Sequence, residues 1–126
     1  MQFSNKGDFR QVNMSNGRWN TCGFRGCDMT EVNASSSVFN ECDFGETCLD
    51  GANLTEGLFN NCIMTLATFK KSECSKTYFN GSSLRKGQFI DSNLHDCEMV
   101  NTDMTEVVFK HCHTKGMSQR PLPSIN

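Results

Sequence analysis

The sequence predicts an all-β solenoid of about five square coils, and two observations carry that prediction. A large apolar residue recurs at every fifth position over most of the chain, and a small residue recurs two places ahead of each. Counting in fives from Phe9 meets Met14, Trp19, Phe24, Met29, Ala34, Phe39, Phe44, Leu49, Leu54, Phe59, Met64, Phe69, Cys74, Phe79, Leu84, Phe89, Leu94, Met99, Met104 and Phe109. Nine of the ten Phe and the single Trp share this phase, so it concentrates the apolar bulk of a chain whose apolar fraction is only 37%. Every place on the second phase, from Val12 to Cys112, holds Gly, Ala, Ser, Thr, Cys or Val.

Neither the helical period of about 3.6, the strand period of 2 nor a heptad keeps a phase of five. A chain that turns one corner per five residues and closes a square every four corners does keep it. Each side then points one large and one small side chain to the axis. The phase does not slip between Val12 and Cys112, so no inserted loop is expected.

In chain order, residues 1–8 read as an N-terminal cap and residues 9–113 as the coils. Residues 114–126 read as a C-terminal cap or loose tail, because the phase is lost at Thr114 and Pro121 and Pro123 oppose a further ladder. Solenoid ends leave an unpaired coil. Phe3 at one end and Met117, Leu122 and Ile125 at the other are the apolar residues available to cover it. End-to-end or face-to-face pairing of two copies is the other means of doing so.

Residues twenty apart should stack at about 4.8 Å, as neighbouring parallel strands do. One side then carries a core ladder of Trp19, Phe39, Phe59, Phe79 and Met99. The opposite side carries Phe9, Met29, Leu49, Phe69, Phe89 and Phe109. Cys22, Cys42 and Cys62 form a ladder at the small inward place and read as thiols filling space, since in-register stacking is wider than disulfide geometry prefers. Asn13, Asn33, Asn53 and Asn93, interrupted by Glu73, read as side-chain amides stacked between coils. Sequons such as Asn53-Leu54-Thr55 are by-products of the repeat.

The unit Ala52-Asn53-Leu54-Thr55-Glu56 resembles the repeat of the pentapeptide-repeat family outright. Cys27-Asp28-Met29, Cys42-Asp43-Phe44, Ser92-Asn93-Leu94 and Thr102-Asp103-Met104 are close variants. The resemblance implies a right-handed quadrilateral parallel β-helix with the centre and the preceding small residue turned inward.

At 126 residues the chain is the size of one domain, and a net charge of -2 leaves no basic footprint for direct nucleic-acid binding. No run of 18 apolar residues and no leader is present, which predicts a cytoplasmic chain with no membrane contact and reduced cysteines. The G-x-S-x-G, P-loop, H-E-x-x-H, EF-hand and C-x-x-C patterns are missing, so the expectation is no enzyme and no cofactor. The nearest thing to a metal motif is His111-Cys112-His113, with His95 and Cys97 earlier. There, Cys112 falls on the inward phase and its neighbours point outward, so no metal is expected.

The outward positions carry the functional reading. Val38, Leu58 and Tyr78 stack where the family usually has Asp or Asn, and Ile63 and Leu66 extend this apolar stripe on neighbouring sides. Charge is banded along the axis. Asp28, Glu31, Glu41, Asp43, Glu46, Asp50 and Glu56 form an acidic band, and Lys70, Lys71, Lys76, Arg85 and Lys86 form a basic one. These features predict a non-enzymatic scaffold that meets a protein partner through one face. An alternative comes from wording such as Phe39-Asn40-Glu41-Cys42-Asp43-Phe44 and Phe24-Arg25-Gly26-Cys27-Asp28-Met29, which is similar to the quinolone-resistance subfamily. That similarity implies a DNA mimic protecting or inhibiting a type II topoisomerase such as gyrase, against which stand the few coils, the small net charge and the lack of loops. A secreted bacterial effector is a third reading.

Overall fold

The computed structural model describes residues 7–121, and the side chains of residues 7–119. Phe3, Leu122 and Ile125 lie outside these. The architecture is the expected quadrilateral parallel β-helix of about five coils.

The square is made by the backbone. φ is positive at every fifth residue from Gln11 to Gly116, ranging from 53° to 76°. An L-residue in this left-handed region costs about 1–2 kcal/mol. Only Gly26, Gly51, Gly81 and Gly116 escape that cost. The corners persist because each is bonded to the next coil. Gln11 N–H donates to Thr30 O at 3.0 Å, Glu31 N–H to Asp50 O at 2.8 Å and Lys71 N–H to Ile90 O at 2.8 Å.

Between corners the chain forms strands β1 (Arg18–Asn20), β2 (Val38–Asn40), β3 (Leu58–Asn60), β4 (Thr68–Lys70), β5 (Gln88–Ile90), β6 (Glu98–Thr102), β7 (Val108–Lys110) and β8 (Ser118–Pro121). Strands β1, β2 and β3 pair on one side, where bridges through Tyr78 carry the line on to β6 and β8. Strands β4, β5 and β7 pair on the opposite side. The two remaining sides are joined by single parallel bridges such as Asp43↔Ile63 and Asn33↔Asn53. We call these the β1 side, the Ile63 side, the β4 side and the Asn33 side, in the order the chain visits them.

The register of twenty residues, Trp19 on Phe39 and Phe39 on Phe59, brings the rings into columns. Phe39–Phe59 and Phe59–Phe79 stack with centroids 4.9 and 5.2 Å apart, and Phe69–Phe89 at 4.3 Å. Trp19 stacks on Phe39 more loosely, at 6.5 Å. A third column, Phe24–Phe44 at 5.0 Å, meets the first edge-on through Phe39–Phe44 at 5.1 Å. Stacked contacts along the axis and T-shaped contacts across it are the two geometries aromatic quadrupoles favour.

The small inward residues do more than fill space. Where the corner after a large residue is left open, its carbonyl is taken by a thiol or hydroxyl twenty-three residues on. Cys42 donates to Trp19 O at 3.4 Å, Cys62 to Phe39 O at 3.3 Å, Ser82 to Phe59 O at 2.8 Å and Ser92 to Phe69 O at 2.6 Å. A buried carbonyl needs such a partner, so Cys, Ser and Thr share this place for their donor as well as their size.

The coil does not break at Thr114. Met117 N–H closes the next turn on Thr114 O at 3.0 Å, Gly116 supplies the corner, and β8 pairs with β6. Glycine at the corner lets the backbone continue although the large residue is missing, and the ladder reaches Pro121, which has no N–H to donate.

Candidate interaction surface

The interior is packed, with Phe24, Phe39, Phe44, Phe59, Phe69, Phe79 and Phe89 fully buried. A hollow lined by Asp8, Arg10, Gln11, Thr30 and Glu31 opens on the first coils. Arg10 clamps Asp8 there at 2.9 Å, and that hydrogen bond holds the carboxyl down to about 2. Recognition chemistry therefore has to be sought on the outer sides.

On the β1 side the outward places form two columns. One runs Arg18, Val38, Leu58, Tyr78 and Glu98 in direct register. Val38, Leu58 and Tyr78 are half-buried. Beside them runs an amide ladder: Asn40 Nδ2 donates to Asn20 Oδ1 at 2.8 Å, and Asn60 Nδ2 to Asn40 Oδ1 at 2.9 Å. Asn80 continues the column, its Oδ1 accepting from Val100 N–H at 3.0 Å. This pair of columns keeps one register and carries no charged residue between Arg18 and Glu98.

The amide ladder expected at Asn13, Asn33 and Asn53 is corrected. Their Oδ1 atoms accept from the backbone N–H two residues ahead, Ser15 at 3.0 Å, Ser35 at 3.1 Å and Thr55 at 3.1 Å. A short Asx turn within one coil satisfies the side chain before a neighbouring coil can. Asn93 makes the same turn to His95 N–H at 3.0 Å and also reaches Glu73 at 3.2 Å. The ladder that does join coils follows the large residue rather than preceding it. Its signal in the sequence is the run Asn20, Asn40, Asn60, Asn80 at intervals of twenty.

Ile63 is not part of the Val38–Leu58–Tyr78 column. It lies on the next side, between Asp43 and Ser83. Leu66 shares that side, at its corner. These two are more exposed than the column itself, at 50% and 45%.

The acidic band wraps the rod. Asp28, Glu31 and Asp50 lie on the β4 side, Glu41 at the corner after β2, Asp43 and Glu46 on the Ile63 side, and Glu56 at a corner of the Asn33 side. Most are engaged within the rod. Asp28 accepts from Thr30 N–H and hydroxyl at 3.0 and 2.6 Å, Asp43 from Gly45 N–H at 2.8 Å and Asp50 from Lys70 N–H at 2.9 Å. Glu31 accepts from Gln11 at 2.9 Å, and Glu46 pairs with Arg25 at 3.0 Å.

Among the described residues no three His, Cys, Asp or Glu gather as a metal site. His95 and His113 rings stand 6.2 Å apart, while Cys112 turns inward to donate to Phe89 O at 3.1 Å. All eight thiols are free. Burial pushes Cys97 up to about 12 and Cys74 well above its ordinary value. The Cys62 thiol is pushed well above its ordinary value, first by its bond to Cys42 and then by burial.

No curated protein matches the sequence. Among solved structures, a trypsin-treated variant of QnrB1, a plasmid-mediated fluoroquinolone resistance protein, superposes with a TM-score of 0.82 at 17% identity over 87% of this chain. The chain spans 56% of the length of that structure. Rfr23 from the cyanobacterium Cyanothece 51142 superposes with a TM-score of 0.74 at 16% identity, over 90% of this chain and 88% of its own. A pentapeptide repeat protein of the Arabidopsis thaliana thylakoid lumen gives 0.62 at 13%, over 75% and 69%. At these identities the likeness is one of fold. The family model for pentapeptide repeats matches residues 22–55, 47–85 and 72–110. Together with the five-residue phase and the four-sided coil, that match makes the chain a member of the pentapeptide-repeat family.

Proposed function

We propose that the chain is a non-enzymatic scaffold that holds a protein partner on its β1 side. The observation that carries this reading is the register of Val38, Leu58 and Tyr78 beside the amide ladder of Asn20, Asn40 and Asn60. An apolar column spaced at about 4.8 Å offers one contact per coil to a partner segment lying along the axis. The neighbouring amides are already bonded to one another, so this surface is fixed before binding and ordering it costs little. Its central absence of charge matches the charge-depleted centre of protein interfaces.

Phosphate mimicry is supported less well. A duplex presents one charge per about 1.7 Å, whereas Asp28 and Asp50 are held by bonds within the rod, a basic band follows the acidic one and the net charge is only -2.

The test is capture from the native host by the wild-type chain and by the double variant Leu58→Lys, Tyr78→Lys. Crosslinking through a photoreactive residue at position 38 identifies what touches the column. The variant should lose the crosslinked partner with its melting curve unchanged. A partner retained undiminished sinks the reading, and a gyrase subunit retained in that way would favour topoisomerase binding instead.

A further inference from the structure

The Ile63 side is self-complementary, and we propose that it is the contact surface for a second copy of this chain, docked antiparallel about a two-fold axis through the coil of Ile63 and Leu66. The inference is independent of the β1-side reading, which uses a different face.

Three rows of residues carry it. At the centre Ile63 and Leu66 stand exposed at 50% and 45%, in a stretch from 57 to 69 without a charged residue. One coil toward the N-terminus the same columns hold Asp43 and Glu46, and one coil toward the C-terminus they hold Ser83, Arg85 and Lys86. A further coil out, Arg25 stands at one end and Asp103 and Glu106 at the other. The columns thus read basic, acidic, apolar, basic, acidic.

An isologous contact places each residue of a patch opposite its two-fold mate. With the axis at Ile63, the Asp43–Glu46 coil of one copy meets the Arg85–Lys86 coil of the other, and Arg25 meets Asp103 and Glu106. Each cation faces an anion, twice over, around an apolar centre. A parallel arrangement would set Glu46 against Glu46 and Lys86 against Lys86, and like charges across an interface are strongly unfavourable.

The charged groups are available for this. Arg25 already pairs with Glu46 at 3.0 Å, Arg85 with Asp103 at 3.8 Å and Lys86 with Glu106 at 3.9 Å. Apart from Asp103, at 29%, the side chains in these pairs are about half exposed, so little is lost when they are shared with a partner.

Leu66 supplies a second observation. It adopts φ +64° at a corner otherwise held mainly by polar residues and Gly. Like the other corners it is held by its bond to the next coil, Leu66 N–H to Arg85 O at 2.9 Å, so what sets it apart is an apolar side chain on an outward place.

Exposed charge pairs around two apolar side chains per copy hold the rods weakly, so the dimer is expected toward the upper end of the concentration range. Sedimentation velocity from about 10 µM to about 1 mM, at ~20 mM and ~500 mM salt, reads it, because screening weakens exposed charge pairs. Wild-type protein should shift from monomer to dimer with concentration at low salt and revert at high salt. Glu46→Lys and Lys86→Glu should each remain monomeric under the same conditions, with unchanged melting curves. Their equimolar mixture should recover the dimer, because only the mixed pair sets a cation against an anion at both ends. A wild type that stays monomeric throughout overturns the proposal. So does a dimer that either single variant leaves intact, or a mixture that fails to associate.

Discussion

Asn40 donates its side-chain amide to Asn20 Oδ1 at 2.8 Å and accepts the equivalent bond from Asn60 at 2.9 Å. It is therefore the middle rung of a ladder that ties three coils together outside the backbone. Asn40→Ala breaks both bonds and leaves an amide on either side to be satisfied by water, at a cost of about 1–2 kcal/mol. Urea melts should show this as a lower midpoint at constant slope. Asn53→Ala, which breaks only a turn within one coil, should cost less, and the reverse order would contradict the assignment of the ladder.

Phe59 stacks on Phe39 at 4.9 Å and Phe79 at 5.2 Å and meets Phe44 edge-on at 5.5 Å. Its ring touches three others in the middle of the rod. Phe59→Ala removes all three contacts and leaves a cavity that a rigid column closes poorly, so a loss of about 3–5 kcal/mol is expected. A thermal melt within a degree or two of wild type would refute the central stack.

The Cys62 thiol donates to Phe39 O at 3.3 Å, in a column where Ser82 already makes the same bond to Phe59 O at 2.8 Å. Serine should therefore replace cysteine here at a cost under about 1 kcal/mol, although a buried polar substitution ordinarily costs more. Cys62→Ala removes the donor, strands a buried carbonyl and should cost about 1–3 kcal/mol. If melts rank Ala above Ser, the thiol is only a filler and the hydrogen bond contributes nothing.

The core is legible from the phase of five alone, because a square coil forces large and small inward places that no other fold spaces in that way. The corners are not. Positive φ at Glu31, Lys71 or His111 has no composition signature beyond a run of polar residues, since the conformation is imposed by bonds to the next coil rather than preferred locally. The two Asn columns look alike in sequence and differ in structure. At Asn33 the backbone N–H of Ser35 lies within reach, whereas at Asn40 the corner turns away and leaves the amide of Asn60 as the partner. The Ile63–Leu66 pair is visible in sequence as apolar residues on outward places, but its flanking charges gain meaning only when the coils put Glu46 and Lys86 on the same side.

Acid should weaken the rod through its Asp turns. The carboxylates of Asp28 and Asp103 are held below their ordinary value first by the hydroxyls of Thr30 and Thr105 and then by the N–H groups of the same residues. A value depressed on folding gives stability that is complete above the unfolded carboxylate range, near pH 4, and is lost as pH falls through the folded value. The melting temperature should hold from about pH 7 to 5 and fall below about pH 4. The double variant Asp28→Asn, Asp103→Asn keeps the turn that Asn13 and Asn33 already make but has no proton to gain. Calorimetry should show it with a shallower acid limb; a limb as steep as wild type would assign the effect to other carboxylates.

Leu66 separates stability from association. Its φ of +64° costs a leucine about 1–2 kcal/mol, whereas Asn tolerates the left-handed region and is already found there at Asn61 and Asn101. Exposed at 45%, Leu66 has little burial to set against that strain in the monomer. Leu66→Asn should therefore leave the monomer as stable as wild type or up to about 1 kcal/mol more stable. The same change removes half of the apolar centre around the proposed two-fold axis and should weaken self-association at least several-fold in sedimentation. A core or backbone defect would lower both quantities together, and a solvent-exposed leucine of no consequence would change only the first. Opposite movement of the two is the result that ties the strained corner to pairing of the rods.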